Sequence, residues 1–517
     1  MANKSNSAES RLVSTSHPLL YEVNTRVLLN ELSSRAGKRV TLKRIPDAVL
    51  DEWQDLGFDA IWLMGVWTTG KLGLQIARDT PSFREEYKRV LPDLTDDDII
   101  GSPYAIKSYT VSRKLGGNSA LAVLRKRLQK RGLGLVLDFV CNHTARDHSW
   151  VSSHPEYYVN GAQGDEAEKP DQYFRTKTSK GERVVAYGRD PYFPGWTDTA
   201  QLNYFHPGAR RAMLRQLNQI AEVCDGVRCD MAMLVLNEVF DRTWGERVRP
   251  LKPPPEEFWK EAIAKEKLRQ RDFLFIAEAY WNLEWQLQQL GFDYTYDKIL
   301  YERLLREGAQ SVFGHFKAEL DYQRKCVRFI ENHDEPRAAA VLSTEAWHCA
   351  AGVVMSTVPG MALYHRGQLE GRRIKLPVQL GRLPEEPESD AIKGFYRRLF
   401  RCLQSSPLRQ GTWQLLEARP AWNENHTWTN FLAFMWKGKE SGARLVVVNY
   451  APHNGQCYIN PDLAGIDGSP IEFRDVMGFG VFVRERTALA SKGMYFDVPA
   501  YGIHIFEVSS TRHSNYQ

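Results

Sequence analysis

Short apolar runs and amphipathic segments alternate along most of the chain. Runs such as FDAIWLM, ending at Met64, and LGLVLDFV, ending at Val140, are typical of strands that are buried on both faces. Between such runs lie stretches with helical periodicity, for example 120–131 and 206–223. The pattern predicts eight strands, centred near residues 21, 60, 136, 228, 276, 294, 328 and 362.

Eight strands that alternate with helices predict an α/β fold, a parallel (β/α)8 TIM barrel ringed by helices. A doubly wound open sheet is the competing architecture, but it needs a G-x-G-x-x-G turn after an early strand, and the sequence has none there. The segment 144–198 breaks the alternation and predicts an inserted subdomain after strand 3. From about residue 412, short alternating runs separated by turn residues predict a C-terminal all-β sandwich domain.

The predicted organisation has five parts. They are a disordered N-terminus 1–18, a catalytic barrel 19–143 and 199–411, an inserted subdomain 144–198, a β-sandwich 412–510 and a tail 511–517. Within the barrel, we expect 68–107 to be a loop-rich insertion. Its acidic run at 96–98 predicts a helix N-terminus or a solvated turn rather than a metal site, because carboxylates favour helix N-termini.

Composition narrows the class of protein. Among 517 residues, 43% are hydrophobic and 25% charged, as in ordinary globular proteins, and 68 basic and 63 acidic residues are spread without a basic block. The first 18 residues lack the apolar core of a secretory signal, and no apolar run is long enough to span a membrane. Seven cysteines show neither zinc nor disulfide spacing. We therefore expect a cytoplasmic protein without nucleic-acid or membrane partners.

Polar side chains follow four of the predicted strands. In a barrel of this type the working residues lie at the C-terminal ends of the strands, which share one rim. The residues at those ends are Asp138, Asn142, His143, Arg228, Asp230, Glu278, His333 and Asp334. Any one carboxylate is compatible with a structural ion pair, but several of them in one cleft are costly to desolvate unless they have a function.

The surroundings of two carboxylates suggest different tasks. Arg228 and Asp230 project from the same face of a strand, and the cation favours the ionised form that a nucleophile needs. Glu278 stands among apolar and aromatic residues in FIAEAYW, which favour the protonated form that a general acid needs. Two carboxylates about 5 to 5.5 Å apart would suit retaining glycoside hydrolysis. The 14 Trp, 22 Tyr and 23 Phe are compatible with sugar stacking, although aromatic residues also fill ordinary cores.

Four motifs carry a family resemblance. DFVCNH (138–143), GVRCD (226–230), Glu278 in IAEAYW and FIENHD (329–334) resemble, in order, the four signature regions of the alpha-amylase superfamily, glycoside hydrolase family 13. The resemblance extends over nearly the whole chain. It implies a retaining glycoside hydrolase that acts on α-glucosidic bonds of an α-1,4-glucan or maltooligosaccharide, by double displacement through a covalent glycosyl-enzyme intermediate.

The resemblance also implies residue roles. Asp230 would be the nucleophile, Glu278 the acid/base, and Asp334 the third catalytic carboxylate, which stabilises the transition state. The substrate-binding residues would be Tyr104, His143, Arg228 and His333. Asn142 is a candidate calcium ligand, and calcium is the possible cofactor that the family resemblance implies. Gln201, however, stands where the family often has a calcium-binding aspartate.

Two other functions are compatible with the same motifs. Many amylases carry Lys-His three and four residues after the nucleophile, where this chain has Met233 and Leu234. We expect these residues to make the acceptor side of the cleft less polar. A transglycosylase, or a sucrose- or trehalose-directed enzyme of the superfamily, is therefore an alternative function. A non-catalytic sugar-binding barrel predicts the loss of at least one carboxylate, and all three are present.

Overall fold

Eight parallel strands close into a barrel around which the first four fifths of the chain is organised. A computed structural model describes residues 17–404, 406–438, 442–478 and 480–510. The barrel strands are β1 (Leu19–Asn24), β2 (Ala60–Met64), β3 (Gly134–Val140), β4 (Gly226–Asp230), β5 (Leu274–Ala277), β6 (Tyr294–Tyr296), β7 (Cys326–Arg328) and β8 (Met361–His365). Each strand pairs with its neighbours in sequence, and β8 closes on β1. The predicted barrel and all eight strand positions are confirmed.

The barrel closes because its strands are apolar on both faces. In β2 and β3 every residue is buried, and β1 is buried from Leu19 to Val23. The register pairs Leu20 with Ala60 on one side, and Leu19 with Ala362 on the other. A strand that is apolar on both faces must be covered on both. In a TIM barrel, helices cover the outer face, and the packed side chains of the barrel interior cover the inner face.

Helices cover the outside of the barrel. They are Thr25–Ala36, Asp47–Asp55, Gly117–Gln129, Pro207–Ala221, Asn237–Val248, Phe258–Arg269, Glu284–Gln289, Lys298–Arg306, Ala309–His315, Leu320–Arg324, Ala338–Val341, Glu345–Thr357 and Asp390–Leu403. Their buried faces join the strand side chains in one apolar core.

The insertion after β2 is more regular than its sequence indicates. It contains the helices Lys71–Asp79 and Pro81–Val90, and a hairpin of Trp67–Thr69 with Ile106–Val111. The prediction of a loop-rich insertion is therefore wrong. Both helices are short and amphipathic, and they bury a small separate cluster around Tyr87 rather than joining the barrel core. The acidic run forms a turn in which Asp98 pairs with Arg382.

A second insertion follows β3. It contains the hairpin Tyr173–Thr178 with Gly181–Ala186, and a ribbon of His143–Ala145 with Thr199–Gln201 that ties it to the barrel rim. Two short helices, Ser149–Ser153 and Asp165–Glu168, complete it. The inserted subdomain after strand 3 is confirmed as a feature of the fold.

The C-terminal part is an antiparallel β structure. One sheet has the strand order Thr412–Leu416, Phe431–Lys437, Ala443–Asn449, Ile503–Ser510, Ile471–Asp475 and Gly480–Arg484, and a second has Ala418–Arg419, Gly455–Ile459 and Met494–Val498. Helices Ser406–Gln410 and Arg486–Lys492 flank them. This part has its own apolar core, and it also packs on the barrel, since the Trp436 indole donates to the Thr357 carbonyl at 2.6 Å.

The exact domain boundaries stay predictions. Most of the predicted disordered N-terminus and the whole of the predicted tail, 511–517, lie outside the described residues. Within the described ranges, no helix combines the length and the apolar character needed to cross a membrane.

Candidate active site

The carboxyl ends of the barrel strands bring the predicted residues together. Asp230 is the last residue of β4, and Glu278 directly follows β5. Arg228 pairs in register with Asp138 of β3 and with Ile276 of β5, so its side chain stands between the two neighbouring strands. Every site residue predicted from the strand ends therefore lies on one rim, as in other barrels of this architecture.

Arg228 links the carboxylates of three strands. Its Nη1 donates to Asp230 Oδ1 at 2.6 Å and lies 3.7 Å from Asp138 Oδ1, while Nη2 lies 2.8 Å from Glu278 Oε2. The guanidinium is buried and also stacks near the rings of Trp62 and Tyr104. One buried cation cannot neutralise three buried carboxylates, so at least one of them is held in an environment that favours its protonated form.

Glu278 is one such carboxylate. Its Oε2 accepts from the Met231 backbone amide at 2.6 Å, and its Oε1 accepts from the Tyr280 hydroxyl at 2.8 Å. Burial raises the pKa of Glu278 to about 7; Arg228 opposes this rise, and the charge of Asp230 adds to it. The side chain is therefore placed to give up or accept a proton near neutral pH.

Asp138 is a second carboxylate with a raised pKa. Burial raises the pKa of Asp138 to about 7, against the lowering influence of Arg228 and His333. Its Oδ1 accepts from the Trp62 indole at 3.2 Å. Asp138 is buried, and its Oδ1 lies 3.7 Å from Arg228 Nη1, so the contact between the two side chains is electrostatic rather than a hydrogen bond.

His333 and Asp334, which follow β7, are the next polar pair at the rim. His333 Nε2 lies 2.9 Å from Asp334 Oδ2 and 2.6 Å from the Tyr104 hydroxyl, and the Tyr104 and His333 rings stack at 5.4 Å. Asp334 is the open member of the group, with 46% of its side chain exposed. The barrel wall partly desolvates this carboxylate, but the positive charge and hydrogen bond of His333 lower the pKa of Asp334. Asp334 is therefore ionised and faces the cleft.

Glu22 on β1 is a site residue that the sequence analysis missed. It is fully buried, and its Oε1 accepts from His333 Nδ1 at 2.5 Å. Burial alone would lower the pKa of His333, but Asp334 and Glu22 raise it to about 10. A charged residue inside the apolar run LLYEVN was the available signal, because a buried glutamate is rare unless it is paired.

His143 and Tyr104 lie beside this group. His143 is buried, and burial lowers its pKa despite the charge of Asp230. Its ring lies 5.2 Å from the ring of Trp196 in the inserted subdomain. The insertion therefore forms part of the cleft wall next to the carboxylates.

The side chains that follow Asp230 are more deeply buried than the sequence analysis expects. Met233 and Leu234 are both buried in the barrel core, so they do not form an apolar acceptor surface, and the expectation that they make the acceptor side less polar is wrong. Met231 is the residue at the cleft edge, and it adopts a left-handed conformation with φ of 45°. This turn aims its amide at Glu278 and directs the next residues inward.

The candidate calcium ligand Asn142 is engaged by Gln201. Asn142 Nδ2 donates to Gln201 Oε1 at 3.2 Å, and Gln201 Nε2 donates to Asn142 Oδ1 at 2.9 Å. Calcium takes six to eight oxygen ligands, several of them carboxylates, whereas here a paired amide supplies donors at the centre of the site. In the described part of the chain, no group of three or more His, Cys, Asp or Glu side chains is placed to hold a metal. These residues do not fit a calcium ion.

Comparisons with known proteins agree with this architecture. The family model described as the catalytic domain of alpha amylase matches residues 42–375. Alpha-amylase MalA of Haloarcula japonica is 26% identical over 69% of this chain and 44% of that protein. A Rhodospirillum rubrum alpha-1,4-glucan:maltose-1-phosphate maltosyltransferase is 25% identical over 49% of this chain and 30% of its own length. The chain thus spans less than half the length of the curated relatives it matches.

Among solved structures, the maltogenic alpha-amylase AmyB from Thermotoga neapolitana superimposes with a TM-score of 0.66 at 20% identity, covering 96% of this chain and 99% of that one. At this identity the likeness shows the fold alone. The barrel and the family model together define the class of protein, a TIM-barrel enzyme of the glycoside hydrolase type. The chain belongs to the alpha-amylase family, because the family model covers more than half of it.

Proposed function

We propose that the protein hydrolyses α-glucosidic bonds in α-1,4-glucans or maltooligosaccharides, with retention of configuration, through a covalent glycosyl-enzyme intermediate. The observation that carries this proposal is the contrast between two carboxylates joined by one cation. Asp230 accepts a charge-assisted hydrogen bond from Arg228, while burial raises the pKa of Glu278 to about 7. This is the pairing of an ionised nucleophile with a protonated acid that double displacement needs.

In the first step, a carboxylate oxygen of Asp230 attacks the anomeric carbon, and the bond to the glycosidic oxygen breaks. Glu278 gives its proton to that oxygen, so the shortened glucan leaves as an alcohol. In the second step, the ionised Glu278 takes a proton from water as the water oxygen attacks the anomeric carbon. The ester to Asp230 breaks, and both carboxyl groups return to their starting states.

The remaining residues are proposed to hold the sugar whose bond is cleaved. Asp334 and His333 would bind its hydroxyls, with the positive charge of His333 maintained by Glu22. Tyr104 would provide a flat ring beneath the sugar, and His143 a second contact. Arg228 would hold Asp230 in place for attack.

The test is product analysis with maltoheptaose as substrate. Chromatography should show shorter maltooligosaccharides, and NMR taken before mutarotation should show the α-anomer as the first product. A β-anomer would overturn the double displacement, and complete absence of turnover on maltoheptaose, maltose, sucrose and trehalose would overturn the substrate class.

A second candidate function is transfer of the glucosyl unit to another sugar. Three residues after Glu278, Trp281 lies 5.2 Å from the ring of Tyr192, which belongs to the inserted subdomain and is 62% exposed. Aromatic rings at the edge of the cleft favour the retention of an acceptor sugar over water. The similarity to a protein named as a maltosyltransferase supports the same candidate. Products longer than maltoheptaose, lost in Trp281→Ala while hydrolysis continues, would support transfer.

A further inference from the structure

A large groove lies outside the catalytic cleft. It encloses about 1540 Å³ between helix Thr25–Ala36, helix Lys71–Asp79 and strand Ile106–Val111. Asp230, Glu278 and Asp334 do not line it. The groove is therefore a separate surface, formed where the insertion after β2 packs against the first helix of the barrel.

The groove is lined by cations without carboxylate partners. Its charged lining residues are Arg26, Arg39, Lys71, Arg78, Arg113 and Lys114, with Asp79 as the acid. In the described ranges none of these six cations forms a salt bridge, whereas the nearby Lys107 and Arg382 are both paired with aspartates. Six cations against one acid in the lining produce a positive potential that attracts anions.

Backbone contacts hold three of these cations together. The Arg39 guanidinium donates to the carbonyls of Arg113 at 3.1 Å and Lys114 at 2.5 Å, which brings three exposed cationic side chains to one end of the groove. Such a cluster raises the repulsion between like charges. The two carbonyls offset part of it at Arg39, but none of the three side chains forms a salt bridge in the described structure. A phosphate group would offset the remaining repulsion, because guanidinium and ammonium groups are the usual partners of phosphate oxygens.

The neutral wall of the groove suits sugar hydroxyls. Asn30 and Ser34 lie four residues apart on one helix face, and Gln75 lies on the opposite helix. These three exposed side chains form no hydrogen bond with any described residue, so their donors and acceptors are open to a ligand. The volume exceeds the roughly 300–1,000 Å³ of a site for one small molecule, which indicates a longer ligand.

We propose that this groove binds an α-glucan chain that carries phosphate groups, outside the site where bonds are cleaved. The glucan part rests on the proposed function. The phosphate part rests on the six cations that line the groove without a salt bridge, of which Arg26, Arg39 and Arg78 also donate to backbone carbonyls. Arg39, Arg113 and Lys114 hold the phosphate, and the amide and hydroxyl side chains contact the sugar.

The test is calorimetric binding to the full-length chain in an Asp230→Asn background, which prevents consumption of the ligand. The groove variant is Arg39→Gln/Arg113→Gln/Lys114→Gln. The matched control, Arg242→Gln/Lys252→Gln/Arg271→Gln, removes two arginines and one lysine that are also exposed, on the segment between β4 and β5. The ligands are phosphorylated maltodextrin, unphosphorylated maltodextrin of the same length, inorganic phosphate and heparin.

We expect phosphorylated maltodextrin to bind at least ten-fold more tightly than the unphosphorylated chain, and the groove variant, but not the control, to lose that preference. The preference should also shrink at high salt, because exposed charges are screened. Equal binding of the two maltodextrins, equal loss in the control, or heparin binding as tight as that of phosphorylated maltodextrin would each overturn the proposal. Binding of inorganic phosphate without the maltodextrin preference would overturn its glucan part.

Maltoheptaose turnover separates this proposal from the proposed function. The groove variant in the otherwise unaltered chain should hydrolyse maltoheptaose at the same rate as the unaltered protein. If neither turns over maltoheptaose, the proposed function fails, whereas the effect of phosphate on binding still decides whether the groove is an anion site.

Discussion

Replacing Glu22 by glutamine removes one charge from a buried chain of ionic contacts and leaves its shape nearly unchanged. Glu22 and Asp334 both contact the His333 ring and together raise its pKa from 6.5 to about 10. That rise corresponds to about 5 kcal/mol of preference for the protonated ring. If the two carboxylates share it, the Glu22→Gln change costs about 2 kcal/mol of folding free energy.

The pH dependence follows from the direction of each pKa shift. The folded-state pKa of His333 lies above its unfolded value, so its stabilising contribution is complete below about pH 6.5 and is lost as the pH rises toward 10. For Glu22, burial alone would raise the pKa, but His365 and His333 lower it, so its contribution is present above about pH 4.5 and is lost in acid. The cost of Glu22→Gln should therefore be greatest between about pH 5 and 6.5.

The assay is the melting temperature of the full-length protein at pH 6, 8 and 10. We expect Glu22→Gln to lower it by about 2–4 °C at pH 6 and by less than about 1 °C at pH 10. The matched control is Glu31→Gln, which removes a carboxylate 21% exposed on the adjacent helix, where its pairs with Arg35 and Arg366 are worth about 1 kcal/mol or less. An equal loss at all three pH values would refute the reasoning, since it would mean that packing rather than charge is what Glu22 contributes.

Three further outcomes are expected. Asp230→Asn should lower maltoheptaose turnover by at least about 10⁴-fold while circular dichroism shows that the protein stays folded, and substantial residual turnover would exclude Asp230 as the nucleophile. Burial raises the pKa of Glu278 to about 7, so kcat/KM should fall about ten-fold per pH unit above pH 7. With a p-nitrophenyl glycoside as substrate, Glu278→Gln should abolish this alkaline fall. A fall that persists in this variant would assign the titration to another group. A chelator should leave the melting temperature unchanged, because Asn142 and Gln201 already satisfy each other; a fall that calcium reverses would mean that this amide pair opens to bind the ion.

The barrel and the location of its site could be predicted from local pattern. Parallel strands buried on both faces appear as continuous apolar runs, and residues at their C-terminal ends must share one rim, so the positions of Asp230, Glu278 and Asp334 along the chain are enough to group them. The helices at 71–90 were not predicted, although each has an apolar face, because they are only nine and ten residues long and pack on a small cluster outside the barrel core.

The charge network could not be predicted either, because pairing depends on which side chains barrel closure brings together. Glu22 and His333 are separated by 311 residues and meet only through the closed barrel. The sequence by itself determined the strands, most of the helices and the chemical groups at the rim, since these follow from local periodicity and residue type. Only the tertiary structure decided that Arg228 lies against three carboxylates, that Met233 is buried in the core, and that six cations line one groove. The physical reason is that burial and long-range contacts set the energy of each charge.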